Sequence, residues 1–230
     1  MNKNIIIAID GFASTGKSTL AKCLANYLNY TYVDSGSMYR AITYYALVNN
    51  YLPFNNRNLK DFFKVLADVK LNFIFNENLG FSEIYLNNIN IEKEIRSILV
   101  SNHVSSVATI SFIRKHMVNL QKEMSLNKGV VMDGRDIGTV VFPNAELKLF
   151  LNASAEVRAE RRHSEYVKQG VKVNYEEVLN NLRSRDLDDS SRTDSPLIVA
   201  DDAIEIDNSF LSMEDQIFFV KKILKDKFNL

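Results

Sequence analysis

The chain has 230 residues, enough for one domain with a modest insertion, and its 46% hydrophobic content is ordinary for a globular core. Lys and Arg total 28 against 28 Asp and Glu, so charge gives no indication of nucleic-acid or membrane-surface binding. The single cysteine, Cys23, has no partner for an internal disulfide and suits a reducing compartment. With neither a leader nor a membrane span expected, the reading is a cytoplasmic protein.

In chain order, Ile5-Ile6-Ile7-Ala8-Ile9 is an apolar, β-branched run of strand length. Residues 11 to 18 then read Gly-Phe-Ala-Ser-Thr-Gly-Lys-Ser and fit the phosphate-loop pattern G-x-x-x-x-G-K-[ST] at every fixed position. Such a loop must curl with its N–H groups turned inward on a polyphosphate, and Gly16 is the turn residue that a side chain would block. Lys17 supplies a point charge for the outer phosphates, and Ser18 offers a hydroxyl to phosphate-bound magnesium. Leu20, Leu24 and Leu28 follow at helical spacing, so strand, loop and helix come in the order the chemistry needs. Cys23 falls in that helix and is expected to be a buried structural thiol.

Thr31–Val33 is the next strand candidate, followed by Asp34-Ser35-Gly36-Ser37-Met38-Tyr39-Arg40. Asp34 and Ser35 suit a helix cap, and Arg40 lies one turn in, near the carboxyl end of a strand where open α/β sheets bind ligands. Over Val69–Ile91 the pattern changes to short alternating runs separated by Asn- and Gly-containing turns, which predicts an inserted antiparallel meander. His103, His116 and His163 have no metal-ligand spacing and are expected to be surface or partly buried residues. Gly129–Asp133, Leu147–Leu151 and Ala203–Ile206 complete the strand candidates. Alternation with helical patterns implies a parallel sheet covered on both faces.

Three charges within Asp133-Gly134-Arg135-Asp136 leave one of those strands. From Arg135 to Arg192 there are seven arginines against three lysines, although lysines outnumber arginines 17 to 11 overall. The planar guanidinium grips phosphate oxygens bidentately, which an ammonium cannot do. Arg158, Arg161 and Arg162 share one helix face behind a Ser154 cap. Glu165 is the expected partner of Arg161, which leaves a cluster for a polyanion. Arg185-Asp186-Leu187-Asp188-Asp189-Ser190-Ser191-Arg192 mixes both signs and suits a sugar and a phosphate. The amphipathic stretch Met213–Phe228 fits either a core or an interface helix.

Taken together, the loop, Asp34-Ser35-Gly36…Tyr39-Arg40, Asp133-Gly134-Arg135-Asp136…Gly138-Thr139-Val140-Val141-Phe142-Pro143 and Arg185-Asp186…Asp189-Ser190…Arg192…Pro196-Leu197 resemble the bacterial cytidylate kinases, in the family's order, over about residues 5 to 207. The resemblance implies an α/β fold of the P-loop NTPase type. Its five-stranded parallel sheet would carry helices on both faces and a small antiparallel β insertion in the acceptor-binding region. It implies one kinase domain over 1–230, with a core at 1–60 and 100–230, an insertion at about 61–99 and a short lid at about 155–172. The implied reaction turns ATP and CMP or dCMP into ADP and CDP or dCDP, with Mg2+ carried by ATP and touched by Ser18. Gly11, Phe12, Ala13, Ser14, Thr15, Gly16, Lys17, Ser18 and Thr19 would cradle ATP, with Arg158 and Arg162 over its phosphates. Ser35, Ser105, Arg114 and Asp136 would surround the cytosine, Arg185 and Asp189 the sugar, and Arg40, Arg135 and Arg192 the acceptor phosphate. Lys17, Arg135, Arg162 and Arg192 would act in catalysis. Phe12 replaces a frequent proline at a position expected to contribute only backbone. A monomer free of nucleic acid and membrane is expected. Other acceptors, UMP or AMP, and a nucleotide-dependent switch protein are the competing readings.

Overall fold

The computed structural model describes residues 4–125 and 129–230. In chain order, strand β1 (Ile6–Gly11), helix α1 (Lys17–Leu28), β2 (Thr31–Asp34) and α2 (Ser35–Val48) open the fold. They are followed by α3 (Asn56–Leu66), β3 (Leu71–Asn76), β4 (Phe81–Leu86), β5 (Ile89–Asn90), α4 (Ile98–Ala108) and α5 (Ser111–Glu123). Next come β6 (Val130–Gly134), a wide helical turn over Ile137–Val141, β7 (Leu147–Asn152), α6 (Ala155–Lys168), α7 (Tyr175–Ser191), β8 (Ile204–Asp207) and α8 (Met213–Phe228). Among the described residues the strands form a five-stranded sheet in the order β2-β6-β1-β7-β8 and a three-stranded sheet in the order β3-β4-β5. The chain divides into two compact units, residues 1–32 with 125–230, and residues 33–124.

In the first unit β1 lies parallel to both β6 and β7, and β7 parallel to β8. Strands covered on both faces read as continuous apolar runs, and Ile7, Ala8, Ile9, Val131, Met132, Leu149 and Leu151 are all buried. Leu20, Ala21 and Leu24 of α1 are buried with them. The helix begins after Gly16, at φ +86°, and stops at Asn29, at φ +54°, whose N–H returns to the Ala25 and Asn26 carbonyls. Helix α8 buries Gln216, Val220 and Leu224 and leaves Phe218 exposed, so one of its faces is core.

The second unit holds α2, α3, α4 and α5 together with the meander. Asp34, not Ser35, caps α2, its carboxylate accepting from the Ser37 N–H at 3.0 Å. The meander is antiparallel as the alternation predicts, pairing Leu71 with Leu86 and Phe73 with Ile84. Phe62 is fully buried, with the rings of Tyr51 and Phe54 at 5.1 and 5.2 Å. Cys23 departs from its expected burial: it is only half-buried, since the inward face of α1 is taken by Leu20, Ala21 and Leu24. The histidines are half-buried.

Gly11 joins β1 to the phosphate loop at φ +144°, and a Cβ there would lie 2.0 Å from the Leu151 carbonyl oxygen. Backbone cannot yield as a flexible side chain does. Gly11→Ala should lower stability by at least about 3 kcal/mol, read from the urea unfolding midpoint, and an unchanged midpoint would refute the close packing of β1 on β7.

Candidate active site

The loop between β1 and α1 folds around its own backbone. The Phe12 carbonyl accepts from Lys17 Nζ at 2.6 Å and from Thr15 Oγ1 at 3.0 Å. Lys17 is 5% exposed and has no carboxylate within ion-pair distance among the described residues. Burial pushes its ammonium well below the usual range. The Arg135 cation adds to that, and Asp133 and Asp10 oppose it from farther away. Side chains of the loop also pack. Ala13 joins Ala159, Val178, Leu179 and Leu182 in a core cluster beneath α6 and α7. The Phe12 ring meets Phe150 edge-on at 6.2 Å and lies 5.1 Å below the Arg158 guanidinium. Position 12 therefore contributes more than backbone, a correction to its reading from the sequence.

Two buried carboxylates sit near the ends of the central strands: Asp133, which the sequence placed in a candidate segment without a role, and Asp10, which it left out. Asp133, at the end of β6, accepts from Ser18 Oγ at 2.9 Å and from Tyr32 Oη at 2.9 Å. Ser18 and Asp133 together offer hard oxygen donors of the kind magnesium takes. No group of three His, Cys, Asp or Glu gathers among the described residues, so most ligands of a cation held there would come from phosphate and water. Asp10, at the end of β1, accepts from the N–H groups of Ile137 and Gly138 at 2.8 and 2.7 Å. These bonds fix the turn that directly follows Arg135 and Asp136. Burial raises its carboxyl to about 6, against the lowering effect of the two N–H bonds. Gly138 sits tightly there, since a Cβ would lie 3.1 Å from the Lys148 side chain and 3.3 Å from the Asp10 carboxylate. The signal for Asp10 in the sequence is one acid closing an apolar strand, and its partners lie 127 and 128 residues away.

Arg135, Asp189 and Arg192 come together as the local excess of arginine suggests. Asp189 accepts from Arg135 Nε at 2.7 Å and Arg192 at 3.3 Å, and Arg192 Nε also bonds the Ser195 carbonyl at 2.6 Å. Burial opposes the charge on Asp189, but the guanidinium groups of Arg135, Arg192 and Arg185 together outweigh it and hold the carboxyl below its usual range. Arg185 is different. It has no hydrogen bond or ion pair among the described residues, and burial followed by the Arg135 cation depresses its pKa. A half-buried guanidinium facing like charge is a ready site for an anion.

Helix α6 is capped by Ser154 as expected, but its arginines are not left as an unneutralised cluster. Arg158 forms a two-pronged pair with Asp186 of α7 at 3.0 and 2.7 Å and donates to the Ala153 carbonyl. Arg161 bonds Asn208, not Glu165. Glu165 instead meets Arg162 at 3.4 Å, with the Arg162 guanidinium 4.9 Å above the Tyr166 ring. The partners Asp186 and Asn208 lie 28 and 47 residues from the helix, beyond any local spacing rule.

In the second unit α2, α4 and α5 carry the remaining predicted residues. Arg40 donates to Ser101 Oγ at 2.9 Å, and Ser105 lies one turn further along α4. Arg114 of α5 is 3% exposed, donates to the Ala108 carbonyl at 3.1 Å and stands over the Tyr39 ring at 5.4 Å. Ser35 is buried at the start of α2.

A parallel sheet with a phosphate loop after its central strand, a buried lysine and a bank of arginines defines a nucleotide-binding protein of the P-loop class. Comparison with known proteins narrows this. The cytidylate kinase family profile matches residues 7–226. A cytidylate kinase of Flavobacterium psychrophilum is 59% identical over 224 residues, spanning 97% of this chain and 99% of the relative. Cytidylate kinases of Flavobacterium johnsoniae and Fusobacterium nucleatum are 55% and 48% identical, again over 97% of this chain and over 97% and 99% of their own lengths. The chain belongs to the cytidylate kinase family.

Asp10 also makes the fold pH-dependent. Its folded pKa of about 6 lies above the ordinary 3.8, so the native state holds the proton more tightly. The stability this gives is complete below pH 3.8 and is lost as pH rises through about 6. Relative to Asp10→Asn, the parent protein should lose up to about 3 kcal/mol across that window, measured by urea unfolding at several pH values. A difference independent of pH would refute the buried, ionisable assignment.

Proposed function

We propose that the protein transfers the γ-phosphoryl group of ATP to CMP and dCMP, releasing ADP and CDP or dCDP. The observation that carries this reading is Lys17, a buried cation with no carboxylate at ion-pair distance among the described residues, at a phosphate loop in a chain of the cytidylate kinase family. Loop amides over Gly11–Thr19 and the Lys17 ammonium would hold the donor phosphates. Ser18 and Asp133 would hold Mg2+, which supplies charge neutralisation on the phosphates when bound. Arg135 and Arg192, steadied by Asp189, would take the acceptor phosphate with Arg40, and Arg185 would engage the sugar side. Arg162, held by a long contact to Glu165 and by the Tyr166 ring, is the lid arginine more readily turned toward phosphate, whereas Arg158 would have to leave its two-pronged pair with Asp186. The attacking acceptor oxygen is already anionic near neutral pH, so the work is alignment and charge stabilisation, with no dedicated base. The single half-buried thiol suits the cytoplasm, and nothing in the proposed roles requires a second subunit.

Asp136, which is 4% exposed, is the proposed acceptor for the cytosine N4 amino group, with Ser35, Ser105 and Arg114 as further base contacts. Uracil would set a carbonyl oxygen against that carboxylate. Leaving a desolvated carboxylate unpaired is a strong means of rejection. A switch protein without an acceptor would leave the Arg40 and Arg185–Arg192 segments without a role.

Asp136→Ala should reduce the ratio of kcat/KM for CMP over UMP by at least about tenfold, measured by coupled ADP release. An unchanged ratio would remove Asp136 from base recognition.

A further inference from the structure

Asn208 directly follows β8 and is 0% exposed. Its Nδ2 uses both hydrogens, donating to the Thr15 carbonyl oxygen at 2.6 Å and to Gln216 Oε1 at 2.9 Å. Its neighbours leave only one orientation for the carboxamide. The Arg161 guanidinium, which has donors alone, bonds Asn208 Oδ1 at 3.1 Å and the Asn208 carbonyl at 2.8 Å. Gln216 Nε2 donates to the Leu211 and Ser212 carbonyls at 3.3 and 3.2 Å, which turns Oε1 toward Asn208. The Asn208 N–H donates to the Asn152 carbonyl at 2.8 Å and so ties the residue to the end of β7.

The bond to Thr15 matters because of peptide geometry. In a trans peptide the C=O and the following N–H point in opposite directions. Holding the Thr15 carbonyl toward Asn208 therefore fixes where the Gly16 N–H points. Gly16 is at φ +86°, and a glycine lets the preceding peptide turn over at low local cost. A turned peptide would present a carbonyl oxygen where a donor is needed, and an oxygen repels phosphate.

We propose that Asn208 is a positioning residue for the phosphate loop. It locks the Thr15–Gly16 peptide so that the Gly16 N–H faces the donor phosphates, and Arg161 of α6 sets the orientation of its carboxamide. The inference rests on the reading of this loop as the ATP site.

Two substitutions separate this role from a merely structural one. Asn208→Asp keeps the size and the Arg161 contact but turns a carboxylate oxygen on the Thr15 carbonyl, which favours the turned peptide. Asn208→Ala removes the lock without the repulsion. The Kd for MgATP by calorimetry and the KM for ATP should rise by about tenfold or more in Asn208→Asp and by less in Asn208→Ala. The KM for CMP should stay within about twofold in both. A structural role predicts the reverse order, since Asp retains the Arg161 contact that Ala loses, and equal effects on the two substrates. Arg161→Met, which frees the carboxamide to rotate, should weaken MgATP binding in the same direction and serves if Asn208→Asp fails to fold. Unchanged MgATP affinity in these variants, or equal rises in both KM values, overturns the proposal. Lys17→Ala is measured alongside. If it binds MgATP as tightly as the parent, the reading of the loop fails; if it binds weakly while the Asn208 variants bind normally, only this inference fails.

Discussion

A buried ammonium with no carboxylate at ion-pair distance among the described residues is the constraint on which the site depends. Lys17 is held by one carbonyl and one hydroxyl, and burial and Arg135 both work against its charge. An isolated charge in a low-dielectric environment costs several kcal/mol, and in an apo protein the group relieves this by giving up its proton more readily. A polyphosphate supplies the missing negative charge and restores the cation. The same logic extends to Arg185, whose charge burial and the Arg135 guanidinium disfavour more than Asp189 supports it. Both groups are cations, and an anion would relieve both.

The rest of the first unit holds those charges still. Four buried polar residues, three at or just beyond the carboxyl ends of the strands and Lys148 near the amino end of β7, are committed to backbone or to other side chains. Asp10 grips the turn after Asp136, Asp133 takes Ser18 and Tyr32, Lys148 bonds the Pro143 carbonyl and Asp202, and Asn208 takes the Thr15 carbonyl. Phosphoryl transfer asks the protein for little covalent chemistry and much alignment. Buried, fully bonded side chains of this kind supply alignment because turning any one of them would strand a donor or acceptor away from water. The ion pair of Arg158 with Asp186 fits the same pattern, locking α6 to α7 above the Phe12 ring.

The sequence was most legible where information is local. Apolar runs placed each strand of the parallel sheet within two residues, and the change of period at Val69 announced the meander. The phosphate loop, the Asp34 and Ser154 caps and the arginine-rich segments were readable for the same reason. Pairings across long sequence separations were not. Nothing near Arg161 marks Asn208 as its partner, and nothing near Asp10 marks Ile137 and Gly138. Charge spacing along a helix favoured Glu165 for Arg161, yet the i,i+3 contact went to Arg162, because Arg161 points toward the end of β8. Cys23 is only half-buried for a similar reason: composition says how often a thiol is buried, while the face of α1 decides whether this one is.

The central claim is that the anion site couples a nucleoside triphosphate to a cytidine monophosphate. Its most direct test is ADP release from ATP measured in parallel with CMP, dCMP, UMP, AMP and dTMP, with a blank lacking any acceptor. Turnover that depends on an added acceptor and is fastest with the cytidine nucleotides is the predicted result. ADP release without an acceptor, or none with either cytidine nucleotide, would contradict the account.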